Sequence, residues 1–330
     1  MLDHGGRLRQ AAAQYDIPLA DWLDLSTGIN PNPWPVPVVP ATIWQRLPEP
    51  DDGLEAAAAA YYGNPRLLPV AGSQAAIQLL PTLLPRAVVA CISPIYNEHP
   101  QAWQRAGHKI RYLQNALLPR ALAAATPYVL LCNPNNPTAD RHPPEVVIDA
   151  ARQLHKRGGW LIVDEAFVDP TPADSVAALA GSDEAPNLVV LRSFGKFFGL
   201  AGARVGFVFA AADLLARMQE AMGPWTVSGP AREAARLALA DSSWQAASRL
   251  HLQAASRRLA ELLAPYGEVK ATALFATLQL PQAAELHAHL AGRAILTRRF
   301  EQLPLVRVGL PGNEVEWQKL AGALAEWRPA

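Results

Sequence analysis

SFGKFFGLAGARVG, from Ser193 to Gly206, sets one lysine among aromatics and glycines, with an arginine, Arg204, eight residues beyond it. Lysine is scarce in this chain: Lys109, Lys156, Lys196, Lys270 and Lys319 are the five. The ordinary reading of any one of them is a surface residue whose stem covers apolar neighbours. The flanks Phe194, Gly195, Phe197, Phe198 and Gly199 argue instead for a desolvated amine at Lys196. Desolvation favours the neutral amine, a nucleophile suited to a Schiff base. Both readings stay open from this stretch alone. The stretch also closes the apolar run LVVLRS (188–193), so Lys196 lies just past the end of an expected buried strand.

Outward from there the pattern repeats. AVVACIS (87–93), KIRYLQ (109–114), YVLLCN (128–133), WLIVDEA (160–166) and VGFVFA (205–210) are short apolar runs of similar type. Helix candidates lie between several of them, such as PPEVVIDAARQLHKR (143–157). GSQAAIQLLPTLL (72–84) has helical apolar spacing, and Pro81 is expected to end or kink it. Strands alternating with helices imply an α/β fold with a mostly parallel sheet covered on both faces. Beyond about residue 225 the texture changes to alanine-rich helical segments (230–263), short strands (273–280, 294–297, 304–309) and a closing helix (313–327). The expected division is an N-terminal arm over 1–35, a large domain over 36–225 and a small α+β domain over 226–330. STGINPNPWPVP (26–37) is too rich in Pro and Asn for a helix or central strand, so the arm reads as loop.

Composition narrows the function classes. With 330 residues, half of them apolar, 18% charged and a formal net charge of zero, the chain lacks the basic footprint of a nucleic-acid binder. No apolar run approaches the ~20 residues that span a bilayer. MLDHGGRLRQ has no apolar signal-peptide core, and a cytoplasmic location is expected. Cys91 and Cys132 are too few and too far apart for a disulfide framework or zinc motif. His287 and His289, two positions apart in a helical stretch, do not face one another and read as surface residues. No metal site is expected.

Ligands of open parallel sheets bind beyond the carboxyl ends of the strands, so the polar residues after each apolar run are the candidates. Gly72-Ser73-Gln74 opens a helix and suits an anion, although Gly-Ser before a helix is also an ordinary cap. NPNNPT (133–138) is either a proline-locked turn whose Asn side chains bond local backbone, or a rigid mount for a ligand-binding amide. Asp164, closing WLIVDEA, could bind a metal, cap a helix or pair with a cationic ring nitrogen, and no second cluster supports the metal. Neither a P-loop nor G-x-G-x-x-G is present, which removes the main support for nucleoside phosphates.

Taken together and in order, these motifs resemble the fold-type-I pyridoxal-phosphate enzymes of the aspartate aminotransferase superfamily, across nearly the whole chain. The resemblance implies pyridoxal 5'-phosphate as cofactor, with Lys196 as its covalent anchor and Asp164 paired with the ring nitrogen. It implies Asn136 on the ring hydroxyl oxygen and Tyr96, in SPIYNEH, stacked on the ring. Gly72, Ser73, Gln74, Ser193 and Arg204 would hold the cofactor phosphate, and Arg307, in LVRVGLP, a substrate carboxylate. Two departures stand out: Phe167 and Leu47 occupy places where many relatives carry tyrosine. The first puts ordinary aminotransferase tuning in doubt, and the second weakens a cross-dimer phosphate contact.

Within the superfamily the chain is similar to the branch of histidinol-phosphate aminotransferases and threonine-phosphate decarboxylases. DHGGRL (3–8), LDLSTGINPNPWP (23–35), GSQAAIQLLP, the phenylalanine of DEAF and LTRRF (296–300) resemble the decarboxylases of cobalamin synthesis. That resemblance implies a small phosphorylated amino acid as substrate and a homodimer, with no nucleic-acid or membrane partner. His4, Gly5 and Gly6 would lie near the substrate phosphate with Arg298 as its cationic partner, and Asn30 close to the substrate. A frayed terminus is the plain reading of DHGG, and a solvated pair that of Arg298 and Arg299. Aminotransfer remains the alternative reaction. A non-catalytic cofactor-binding module is a third reading.

Overall fold

The computed structural model describes residues 4–114, 118–123 and 126–328. It divides into two compact units: the larger holds Trp34–Asn136 and Asp140–Ala246, and the smaller holds the chain up to Pro33, Pro137–Ala139 and the chain from Ala247 onward. Among the described residues no helix is long and apolar enough to cross a membrane.

The larger unit is built on a 7-stranded sheet. Its spatial order is Leu67–Val70, Gly206–Phe209, Leu188–Ser193, Trp160–Asp164, Tyr128–Cys132, Val88–Ser93 and Lys109–Gln114. The expected mostly parallel sheet is present: Gly206–Phe209 alone runs antiparallel to both of its neighbours. Tyr128–Cys132 is buried at every position, as a strand covered on both faces must be. Lys109–Gln114 is mostly exposed and carries Lys109 and Arg111 on the sheet's edge, where charge discourages strand addition. One side of the sheet packs Val89, Cys91, Leu130, Ile162, Val189, Leu191 and Val208 against Ala76, Ile77 and Leu80 of the helix Ser73–Leu83 and against Trp103.

Two features depart from the sequence reading here. The helix Ser73–Leu83 runs through Pro81, which sits in its last turn, where little helix remains to be disturbed. Leu67–Val70 is a strand that the reading missed, because Pro69 breaks the strand pattern. Its position on the sheet's other edge explains why proline is tolerated. Further along, Gly229–Ala240 lies in this unit, where Arg232 pairs with Asp52 at 2.6 Å and Glu55 at 2.7 Å.

In the smaller unit an antiparallel sheet is ordered Arg298–Arg299, Leu305–Gly309, Phe275–Gln279, Glu268–Ala271. A short parallel pair joins Leu23–Asp24 to Ile295–Leu296. The arm is not all loop: Leu8–Tyr15 is a helix. Leu8, Ala11, Ala12 and Tyr15 recur at helical spacing and pack with Trp22, Ala291 and Ala294. Asp16 ends the helix in the left-handed region, φ 54°. Nor are His287 and His289 simple surface residues. Both are half-buried, with His287 Nδ1 at 2.9 Å from Thr297 and His289 Nε2 at 2.8 Å from the Ala323 carbonyl.

Candidate active site

In the larger unit, register brings the strand-end candidates into line. Cys132 pairs with Asp164, Asp164 with Leu191, and Ser193 with Gly206, so four neighbouring strands present these residues at one end of the sheet. Asp164 is buried, and its Oδ2 lies 2.7 Å from Nε2 of His99, itself 1% exposed. Asp164 Oδ1 accepts the Ala166 N–H at 3.0 Å. A buried carboxylate with a histidine behind it suits a cationic partner such as a protonated ring nitrogen. His99, on the helix Glu98–Arg105, went unremarked in sequence because nothing local ties it to Asp164. Its one signal was the spacing from Tyr96, whose ring meets the imidazole edge-on at 6.1 Å.

Cys132 completes a buried trio of possible metal ligands with His99 and Asp164, their donor atoms all within 4.8 Å. The 2.7 Å His99–Asp164 separation is that of a hydrogen bond. Burial, reinforced by the Asp164 charge, pushes the Cys132 thiol well above its ordinary range, so sulfur is a neutral lining group here.

NPNNPT divides between its two readings. Asn133 exchanges hydrogen bonds with the backbone of His142, both at 2.9 Å, and Asn135 donates to the Pro94 carbonyl at 2.8 Å. Those contacts fix the turn that carries Asn136, which is half-buried.

An anion cradle forms at the start of the helix Ser73–Leu83. Gly72 adopts φ 73°, and a Cβ there would lie 2.6 Å from the Arg204 guanidinium. Gly206 is equally constrained, since its Cβ would lie 2.5 Å from the Ser73 nitrogen. Arg204 is itself left-handed (φ 54°) and exposed, and Nη1 donates to the Ala201 carbonyl at 3.2 Å. A helix N-terminus under a guanidinium, with no Cβ between them, fits a phosphate. The Gln74 side chain is turned elsewhere, with Nε2 donating to Glu98 at 2.8 Å, so only its backbone faces this role.

Lys196 sits in the single turn Phe194–Phe197. Its Nζ lies 5.6 Å from the centre of the Phe167 ring. Phe194, Phe197 and Phe198 are fully buried, and Phe198 stacks on both Phe194 and Trp244. Lys196 is thus half-buried in a turn of buried phenylalanines. Beneath the strand ends lies a charged cluster that the sequence reading missed. Arg192 donates to Glu165 at 3.0 Å, Ser175 at 2.8 Å and Asp169 at 2.5 Å, and its guanidinium covers Tyr62. The signal was an arginine inside the apolar run LVVLRS.

The smaller unit gathers the remaining candidates. Arg307 stands directly opposite Arg298 across an antiparallel pair, so both side chains leave the same face. Arg307 Nη2 donates to the Ser26 carbonyl at 2.6 Å. Gly6 donates its N–H to Ser26 Oγ at 2.7 Å, and a Cβ on Gly5 would collide with the Ser26 carbonyl oxygen. His4 precedes them, half-buried. Asn30 is buried, donates to Ser248 Oγ at 3.1 Å and accepts the Asn32 N–H at 2.9 Å. Ser26 therefore joins the arm glycines to Arg307, a linkage invisible in sequence.

Comparison with known proteins gives a consistent picture. The sequence profile described as aminotransferase class I and II matches residues 42–324. A threonine-phosphate decarboxylase of Pseudomonas aeruginosa is 52% identical over 326 residues, 98% of this chain and 97% of its own. Another, from a Sinorhizobium species, is 42% identical over 328 residues, again 98% and 97% of the two chains. The histidinol-phosphate aminotransferase of Sinorhizobium meliloti, solved in complex with pyridoxal-5'-phosphate, superposes with a TM-score of 0.82 at 21% identity, covering 99% of this chain and 98% of its own. At that identity the superposition speaks to the fold.

Proposed function

Because the chain belongs to the aminotransferase class I and II family, we propose that it decarboxylates L-threonine O-3-phosphate to (R)-1-amino-2-propanol O-2-phosphate for cobalamin synthesis. The observation that carries this reading is the 52% identity to a threonine-phosphate decarboxylase over 98% of the chain. Pyridoxal phosphate, when bound, supplies the electron sink for the bond broken at the substrate Cα. The residues fit it: Gly72, Ser73, Ser193 and Arg204 for its phosphate, Asp164 for its ring nitrogen, Asn136 and Tyr96 for the ring, Lys196 as anchor. Gln74 contributes its backbone N–H alone.

The chain's own groups then divide the work. Asp164, backed by His99, would hold the protonated ring nitrogen. Lys196, in its ammonium form, would give a proton to Cα once CO₂ has left and so return to the neutral amine. Phe194, Phe197 and Phe198, all buried, keep water out of the turn that carries it. In the smaller unit Arg307 takes the substrate carboxylate, Arg298 with His4, Gly5 and Gly6 the phosphate, and Asn30 lies beside the substrate. Holding the phosphate selects which Cα bond is presented for cleavage. The protein works as a cytoplasmic homodimer, a use for the large apolar side chains that the larger unit exposes at Val38, Trp44, Leu47 and Trp225.

The purified protein should release one CO₂ per threonine phosphate with no 2-oxo acid present. An absolute requirement for 2-oxoglutarate would make it an aminotransferase. A hydrogen bond to a charged acceptor contributes about 1.5–3 kcal/mol. His99→Ala is accordingly expected to weaken cofactor binding roughly ten- to hundredfold, measured by fluorescence titration of the apoprotein. Unchanged affinity would show that Asp164 needs no support from His99.

A further inference from the structure

We infer that Asp24 and Ser26 are positioning residues: they latch the N-terminal arm and so set how tightly the substrate phosphate is recognised. The inference rests on the proposed function for its substrate and on the smaller unit alone for its geometry.

Ser26 is held from several directions. Just before it, the Leu23 and Leu25 N–H groups donate to the Ala294 and Leu296 carbonyls, both at 2.8 Å. The Gly309 N–H donates to the Leu25 carbonyl at 2.7 Å, and a Cβ on Gly309 would collide with the Thr27 carbonyl oxygen. Arg307 takes the Ser26 carbonyl at 2.6 Å. The backbone at Ser26 is therefore fixed to Ile295–Leu296, just ahead of Arg298, and to the strand that bears Arg307.

The arm meets this fixed point at the Ser26 hydroxyl and by a close backbone approach. Ser26 Oγ lies 2.5 Å from Asp24 Oδ1 and 2.7 Å from the Gly6 nitrogen. A hydroxyl has one proton to give. The Asp24 carboxylate can only accept, so it takes that proton and leaves a lone pair for the Gly6 N–H. Asp24 Oδ1 also accepts the Ser26 N–H at 2.9 Å, which fixes the carboxylate. Gly5 lies against the Ser26 carbonyl where no side chain fits, and Gly6 takes φ 81°. Asp24 thus sets the direction of the hydroxyl, and the hydroxyl sets the place of the arm. His4 and Arg7, flanking Gly5 and Gly6, are the basic groups that move with it.

Full-length holoenzyme carrying Ser26→Ala, Asp24→Ala or Asp24→Asn tests this. Hydrogen exchange at Gly5, Gly6 and the helix Leu8–Tyr15 should rise about tenfold in both alanine variants while the sheets keep their protection. KM for threonine phosphate should rise roughly tenfold with a smaller change in kcat, the pattern of lost binding. The dissociation constant of L-threonine, which lacks the phosphate, should not change. Asp24→Asn keeps an acceptor oxygen and should restore most of both effects. Arm exchange unchanged in Ser26→Ala would overturn the latch. Equal losses for threonine phosphate and L-threonine would overturn its link to the phosphate. Should the unmodified enzyme neither bind nor turn over threonine phosphate, the functional reading fails, while the exchange comparison still decides the latch.

Discussion

Lys196→Ala should lower CO₂ release from threonine phosphate by about 10⁴-fold, the upper end of what a single acid–base group contributes. The same variant should lose the visible absorbance of the lysine-bound cofactor while still binding the cofactor reversibly. That split follows from the geometry. The amine lies over Phe167 in a turn of buried phenylalanines, whereas the anion cradle of Gly72, Ser73 and Arg204 and the carboxylate of Asp164 belong to other elements. Removing Nζ leaves those elements untouched. Survival of the absorbance band would move the covalent anchor to another lysine.

Arg192→Met is expected to destabilise the protein by about 3–5 kcal/mol, the usual cost of stranding a buried charge by deleting its partner. Arg192, Glu165 and Asp169 are each at most 2% exposed, so solvent cannot replace the guanidinium. Burial already raises Glu165 above the ordinary carboxylate range, and the Arg192 charge opposes that rise. Without the arginine the folded-state value climbs further above an unfolded value of roughly 4.3. Between those two values the folded protein binds the extra proton, so stability falls as pH rises. The deficit against the parent should be smallest near pH ~4–5 and grow toward pH ~8, read from urea unfolding. Removing all three charges together with Glu165→Gln and Asp169→Asn should recover much of the loss, because the penalty lies in the unpaired charge. A variant that unfolds at the parent's midpoint across this range would contradict the cluster's role.

The chain's local pattern was enough to read most of the sheet and to pick out candidates at its strand ends. Buried strands write themselves as short apolar runs, and in an open parallel sheet the residues that follow those runs are the ones that meet a ligand. That is why Asp164, Asn136, Ser193 and Lys196 could be picked out one strand end at a time. The glycines at 72 and 206 were legible as glycines, but only packing shows that a Cβ at either would fill the space shared by Arg204 and Ser73.

Other features were decided by tertiary structure. Leu67–Val70 becomes a strand because Gly206–Phe209 lies beside it, and Pro69 is harmless only because the strand is an edge. His99 reaches Asp164 across 65 residues of sequence, and Ser26 meets Arg307 across 281. The helix at Leu8–Tyr15 is too short to stand alone and exists against Trp22, Ala291 and Ala294. The physical divide is one of range. Burial periodicity and turn chemistry are properties of neighbours in sequence. The direction of a hydroxyl, the charge balance around Arg192 and the partner behind Asp164 depend on groups that only folding brings within hydrogen-bonding distance.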